Sequence, residues 1–336
     1  MLHLRSLRLL GAFIVGIALL PTRAAGMPAV SPILESCPVF PANNIWNTPI
    51  DQLPVAVRSQ DYINSIGPDG RLHPDFGSGT WAGYPIGIPY NVVPGTQTKV
   101  SVNFYYPGES DVGPYPIPAE PLIEGDPTQG DRHILILDKD HCLLYELYNA
   151  WKENGSWHAG SGAIFDLNAN HLRPAGWTSA DAAGLPILPG LVRYAEVASG
   201  EINHALRFTV QHTRNAYLWP ARHQASDSSN PAYPPMGQSF RLKGSFDISG
   251  FPAEIQVILR ALKKYGMIVA DNGSNWYISG VPDPNWNNDM LVNQLKKVPG
   301  SAFEAVDVSP LLINPNSAQA RQLDFKYHLE FPAIFR

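Results

Sequence analysis

The chain has 336 residues, of which 44% are hydrophobic and only 16% are charged, and it contains 32 prolines and 28 glycines. Ordinary domains carry about 25% charged residues and about 12% proline plus glycine, so this chain is poor in charge and rich in turn-forming residues. The proline density excludes a coiled coil or a helical bundle, and the 10% aromatic content argues against disorder. The composition favours a loop-rich, mainly β globular protein.

The first 26 residues have the features of a secretory signal peptide. Arg5 and Arg8 supply its positive charge, the uncharged run 9–20 is too short to span a bilayer, and Ala24-Ala25-Gly26 offers a cleavage site. An uncleaved anchor is the alternative. Removing residues 1–26 takes away three arginines and no acid, which changes the net charge from −5 to −8. We expect a secreted or periplasmic protein that binds no nucleic acid and, after signal removal, no membrane.

Residues 27–336 are predicted to form a single β-rich domain, since no repeat or linker divides them. Its N-terminal portion, 27–130, is rich in proline and glycine and ends in an extended loop from Pro107 to Pro127, with one strand before it over 99–106. In an exported chain the two cysteines, Cys37 and Cys142, are expected to form a disulfide; two buried free thiols are the alternative.

The middle of the chain predicts an antiparallel meander. The apolar run 133–138 is typical of a strand buried on both faces, a second strand follows over 142–151, and a third over 156–165 after the hairpin turn Asn154-Gly155. A short amphipathic segment over 192–198 and a strand over 204–212 come next.

The last third predicts two helices and a hairpin. A stripe of apolar residues indicates a helix that starts at Pro252 and ends at Gly266. The segments 267–270 and 276–279 are expected to pair as a hairpin, and Asn288 or Asp289 caps a final helix. Together the elements favour a jelly-roll-like β-sandwich with a few surface helices; an α+β or doubly wound α/β fold is the alternative.

Histidines, which can act as metal ligands or as acid/base groups, are concentrated in the middle of the chain. Seven fall between His133 and His223, and no nucleophile elbow, P-loop, zinc-protease or dinucleotide motif is present. His204 and His212 lie on one face of a predicted strand about 26 Å apart at 3.3 Å per residue, so they cannot bind one metal ion together. We predict no cofactor, with a divalent metal held by histidines left open.

The candidate catalytic residues are Glu146, His204 and His223. Glu146 lies on a strand face among apolar residues, and burial there would raise its pKa and suit it to general-acid work. An edge-strand glutamate that points to water is the alternative.

The candidate substrate-binding residues combine aromatic rings with guanidinium groups. Indole rings stack on the C–H faces of sugars, and arginine supplies charged hydrogen bonds. These residues are Tyr148, Trp177, Arg207, Trp219 and Arg222. An interior tryptophan beside a surface loop is the alternative for Trp219.

Four stretches of the chain, 133–150, 176–193, 204–223 and 259–272, resemble a widespread family of secreted bacterial proteins. The strings that carry the resemblance include Leu-Tyr-Glu-Leu-Tyr-Asn-Ala and Asn-His-Ala-Leu-Arg-Phe-Thr-Val. The resemblance implies a secreted domain and assigns no catalytic residue.

Export, eight tryptophans, fourteen tyrosines and this mid-chain cluster favour an enzyme that cleaves an extracellular polysaccharide by acid/base chemistry. A glycoside hydrolase is slightly preferred to a polysaccharide lyase. A non-catalytic carbohydrate-binding or cell-surface protein, and a metal-dependent hydrolase with histidine ligands, are the alternatives.

Overall fold

Strands make up 27% of the computed structural model and helices 17%, which confirms the mainly β class. The structure describes residues 31–323, so the predicted signal peptide lies outside the described residues. Strands β1–β17 are Ile33–Leu34, Cys37–Pro38, His73–Asp75, Thr80–Trp81, Tyr84–Pro85, Tyr90–Val93, Val102–Phe104, Ile134–Asp138, Leu143–Tyr148, Trp151–Glu153, Ser156–Ala159, Ser161–Asp166, Leu206–Val210, Ser239–Leu242, Met267–Asn272, Tyr277–Ser279 and Phe303–Val306. Helices α1–α4 are Ser59–Ile66, Tyr194–Ser199, Ala253–Lys264 and Asn288–Leu295.

A six-stranded mixed sheet with the order β17-β14-β15-β13-β16-β3 forms one layer of the protein. Alternate residues of a strand face opposite sides, so β13 buries Leu206, Phe208 and Val210 in the apolar core and turns Arg207 and Thr209 to the other face. Helix α3 packs against β14 through its predicted apolar stripe. The other face carries the polar residues Arg207 and Thr209 beside Ile268, and we refer to it as the polar face.

A four-stranded sheet, β12-β9-β8-β6, packs beside a three-stranded sheet, β10-β11-β7. Strand β8 is buried along its whole length, as its apolar run predicted. Leu135 and Leu137 belong to the large core shared with the six-stranded sheet, whereas Ile134 and Ile136 belong to a second, smaller core. The run is continuous because both faces of the strand are covered.

The strand pairing differs from the prediction at two places. The segment 156–165 is broken at Gly160, where an added Cβ would lie 2.6 Å from the Tyr148 ring, and its halves join different sheets. The predicted hairpin of β15 with β16 is wrong, because β13 lies between them and pairs with both.

Four strand pairs are parallel, namely β13–β15, β16–β3, β6–β8 and β11–β7. A jelly roll is built from antiparallel strands, so the mainly β class holds while the pairing is mixed. The long connection from β13 to β15, which passes through β14 and α3, leaves enough chain for these two strands to pair in parallel. None of the helices within residues 31–323 is long and apolar enough to cross a membrane.

The predicted disulfide is present and joins Cys37 in β2 to Cys142 just before β9, with a Cα–Cα distance of 5.3 Å and a sequence separation of 105. Removing a native disulfide typically costs about 2–5 kcal/mol. We expect the double variant Cys37→Ser, Cys142→Ser to lose about that much unfolding free energy in urea. Reductant should destabilise the wild type and leave the double variant unchanged. Equal unfolding midpoints for the two proteins would contradict this expectation.

Candidate functional site

The strongest candidate site is a cleft of ≈ 490 Å³ where the ends of β9 and β15 meet four loops. Most of its lining is polar, and its volume lies within the range of small-molecule and glycan sites. The residues that line it are Tyr106, Glu109, Asp131, Tyr148, Ser161, Thr178, Ser179, Ala180, Ala182, His223, Ala225, Asp271 and Asn272. Among these described lining residues there are three carboxylates and one histidine, and none is lysine or arginine.

Asp271 enters the cleft from the polar face of the six-stranded sheet. It stands opposite Thr209 of β13 and therefore shares a face with Thr209 and Arg207. Its Oδ2 lies 3.4 Å from Arg207 Nη2, and 24% of its side chain is exposed. Asn272 follows it, and its amide group donates to the Ala225 carbonyl over 3.0 Å, which ties the loop after His223 to the end of β15.

Burial and, after it, the negative charge of Asp181 raise the pKa of Asp271 to about 7, while the positive charges of Arg207 and His133 act in the opposite direction. A carboxyl group with a pKa near neutrality is matched to proton donation at physiological pH. Asp271 is therefore the group in this cleft best suited to act as a general acid.

His223 lies on the cleft wall with one ring nitrogen committed to the backbone. Its Nδ1 faces the Ala182 carbonyl oxygen at 2.9 Å, which places the hydrogen on Nδ1 in the neutral ring. The other nitrogen, Nε2, lies 3.9 Å from Glu109 Oε2. Glu109 also accepts a hydrogen bond from the Thr178 backbone N–H. The pair presents a carboxylate and an imidazole lone pair to the same space.

Comparison with known protein families, curated proteins and solved structures finds no match for this chain.

Arg207, which contacts Asp271, also forms a buried ion pair with Asp181. Arg207 donates from Nε and Nη2 to the two carboxylate oxygens of Asp181 over 2.7 and 2.8 Å, and from Nη1 to Ser279 Oγ over 2.6 Å. Arg207 and Asp181 are almost fully buried. This bidentate geometry fixes the guanidinium on the sheet, and the guanidinium in turn positions Asp271.

A second cavity, of ≈ 480 Å³, lies on the other side of Glu124 and His133. Asp75, Glu124 and Asp126 contribute carboxylates to it, and Trp81, whose surface is 79% exposed, stands at its wall. Burial and the charge of Glu124 raise the pKa of Asp75.

The buried His133 pairs with Glu124, whose partly exposed side chain lines the second cavity. Burial alone would lower the pKa of His133, but the Glu124 carboxylate raises it to about 9. Burial likewise opposes ionisation of Glu124, whose pKa is nevertheless lowered by His133.

Of the predicted site residues, Tyr148 and His223 line the cleft. Glu146 and His204, which were predicted to be catalytic, lie outside it with no exposed surface. Glu146 accepts backbone N–H bonds from Ile187 and Leu188 and so anchors that loop on β9. His204 bonds Glu196 and Arg193 beside α2. The structure thus gives both residues neighbours that support the fold.

The other predicted substrate-binding residues are engaged within the protein. Arg207 bonds Asp181, as described above. Arg222 donates to the carbonyl oxygens of Arg173 and Pro315, and Trp219 donates to the Ser317 carbonyl beside a different groove. The half-buried Trp177 lies under the Arg173 guanidinium, 5.5 Å from it. None of these four lines the cleft in the described part of the chain.

The acidic residues of the candidate site, Glu109, Asp131 and Asp271, were not among the residues predicted from the sequence. Asp271 follows the apolar run 267–270 directly, and a carboxylate at the end of a buried strand is a signal that could have found it. Glu109 ends a single 3-10 turn and Asp131 lies in an irregular segment, and neither is long enough for a periodicity that indicates which way a side chain faces.

The buried Glu146 predicts a pH-dependent stability. Burial raises its pKa from 4.5 to about 7, although the backbone N–H groups act against this shift. The folded chain then binds this proton more tightly than the unfolded chain, so the stabilisation is complete below about pH 4.5 and is lost as the pH rises through about 7. Over this window the unfolding free energy should fall by at most about 1.4 kcal/mol per pH unit for each such group.

Glu146→Gln, which removes the titrating group, should show a shallower fall when urea unfolding is measured at several pH values. The exposed Glu120→Gln is the matched control and should follow the wild type. Identical pH profiles for Glu146→Gln and the wild type would show that Glu146 does not titrate in this range.

Proposed function

We propose that the protein is an extracellular enzyme that hydrolyses a polysaccharide in the cleft, with Asp271 as the proton donor. The observation that carries the proposal is a half-buried carboxyl group with a pKa near 7 that faces a cleft with a second carboxylate and a histidine. The disulfide supports an oxidising compartment, such as the exterior or the periplasm.

The proposed reaction divides acid and base between two sides of the cleft. Asp271 gives its proton to the glycosidic oxygen as the bond to the anomeric carbon breaks. A water molecule attacks that carbon and passes a proton to Glu109. His223 Nε2 lies 3.9 Å from Glu109 Oε2. Tyr148 and the Asn272 amide supply a ring face and hydrogen bonds for the sugar.

The charge of the cleft favours hydrolysis over elimination. A lyase that acts on uronates needs a cation to neutralise the substrate carboxylate, and the described lining offers three acids with no lysine or arginine. The same three acids would repel a polyanion. A neutral polysaccharide is therefore the proposed substrate class.

Reducing-end release over a panel of neutral and uronic-acid polysaccharides tests the proposal. We expect release from at least one neutral glycan, with no unsaturated product. Ultraviolet absorption from an unsaturated sugar would indicate a lyase, and retention on a glycan without release from any would indicate a binding protein. Either result would contradict the proposed hydrolysis.

A further inference from the structure

Three side chains between the two cavities have the donor set of a metal site. One ligand atom each of Glu124, Asp131 and His133 lies within 4.8 Å of the other two. One imidazole nitrogen and two carboxylates are ligands that zinc accepts in catalytic sites, where three protein ligands leave a further position open. Two ligands about 2.1 Å from one ion lie at most about 4.2 Å apart, so a pair at the 4.8 Å bound would have to close by about 0.6 Å.

The His133 ring is oriented as a ligand. Its Nε2 faces the Ala180 carbonyl oxygen at 3.0 Å, and a hydrogen on Nε2 leaves Nδ1 as the lone-pair nitrogen. Nδ1 is directed at Glu124 Oε2. Histidines that bind metals commonly donate their other ring N–H to a backbone carbonyl, since this bond fixes the tautomer and the direction of the free nitrogen. Ala180 is not one of the three proposed ligands, so its contact with His133 is independent support for His133 as a metal ligand.

Both ring nitrogens of His133 therefore face oxygen acceptors. Such a ring must carry a second proton or give its Nδ1 to another cation. The geometry favours a doubly charged cation, because the carboxylates of Glu124 and Asp131 both lie within reach of the same position. One divalent ion would neutralise both carboxylates.

The position is accessible. Glu124 lines the second cavity and Asp131 lines the cleft, so an ion can reach the three side chains from solvent on either side. Asp131 is exposed, and its carboxylate is free of hydrogen bonds from other residues in 31–323, so it can move toward the ion at little cost. An ion held there would stand at the wall of the cleft.

From these observations we propose that Glu124, Asp131 and His133 bind one Zn²⁺ ion between the two cavities. Imidazole with carboxylates favours zinc over magnesium or calcium, which take oxygen ligands. The ion would hold the loop 124–131 against the start of β8 and could present a water molecule to the cleft. The proposal does not depend on glycan hydrolysis.

Calorimetric titration of the untagged, metal-stripped protein with Zn²⁺ tests the site, together with the melting temperature at each metal concentration. We expect one saturable site per chain, a rise in melting temperature with Zn²⁺, and little response to Mg²⁺ or Ca²⁺.

Asp131→Asn is the informative variant because its side chain is exposed and the fold should tolerate it. It should weaken Zn²⁺ binding at least tenfold and leave the metal-free melting temperature unchanged. His133→Gln should weaken binding as much, but it also removes the buried partner of Glu124 and should lower the metal-free melting temperature. The controls are Asp126→Asn, at the second cavity, and His171→Gln, on the surface. No saturable binding by the wild type, or wild-type affinity in Asp131→Asn, would overturn the proposal.

Discussion

Replacing Asp271 with asparagine is expected to lower the kcat for glycan hydrolysis by about 10²–10⁴-fold, the usual contribution of a positioned general acid. The amide keeps the shape of the side chain and can still contact Arg207, but it has no proton to give. We expect KM to change little, because the substitution removes an interaction used in the transition state and leaves sugar binding intact. Initial rates on the best substrate of the panel give both constants.

The pH profile separates proton donation from a merely structural role. Asp271 must be protonated to act, so the wild-type rate should fall as the pH rises through about 7, the pKa that burial and Asp181 give it. The residual activity of Asp271→Asn should lack this fall. Asp227→Asn is the matched control, since Asp227 is exposed on the loop after His223 and lies outside the cleft lining. A substitution at Asp271 that leaves kcat within twofold would remove Asp271 from the mechanism.

The elements that could be predicted are those whose signal is local. The run 133–138 identified β8 because both of its faces are buried, and the apolar stripe after Pro252 identified α3 because one helix face meets the core. The pairing of Cys37 with Cys142 could be predicted because the chain has only two cysteines and its N-terminus has the features of a signal peptide.

The site could not be predicted in the same way, because long-range pairing assembles it. Asp271-Asn272-Gly273 has the composition of a hairpin turn, and that local signal led to the wrong pairing of β15 with β16. The insertion of β13 between those strands puts Asp271 beside Arg207, two residues far apart in the chain. No periodicity within either segment encodes that neighbourhood.

The segment from Trp219 to His223 shows that a local cluster of functional residue types need not share one surface. His223 lines the cleft, whereas Trp219 bonds Ser317 and Arg222 bonds Pro315. In an irregular segment nearby side chains face different directions, so closeness in sequence says little about a shared surface. Glu146 is buried, which is one of the two alternatives that its sequence pattern left open, and its oxygens accept hydrogen bonds from the backbone of Ile187 and Leu188.

Arg207→Met is expected to lower the unfolding free energy by about 3–5 kcal/mol, the cost of removing one partner from a buried ion pair. Methionine fills much of the space of the arginine stem but leaves Asp181 buried without its two hydrogen bonds and Ser279 without its donor. Urea unfolding at pH 7 measures the loss. Arg58→Met is the matched control, since Arg58 and Asp61 form an exposed pair whose removal should cost at most about 1 kcal/mol.

A double variant tests whether the stability loss in Arg207→Met comes from the Asp181 carboxylate, which remains buried without its partner. Adding Asp181→Asn to Arg207→Met removes the buried carboxylate as well, so the double variant should be less destabilised than the sum of the two single variants.

Because Arg207 also lowers the pKa of Asp271, its loss should move the alkaline fall in activity of any folded Arg207→Met protein to higher pH. If the stability losses of the two single variants simply add and the pH profile is unchanged, Arg207 fills space in the sheet and does not stabilise the charges of Asp181 and Asp271.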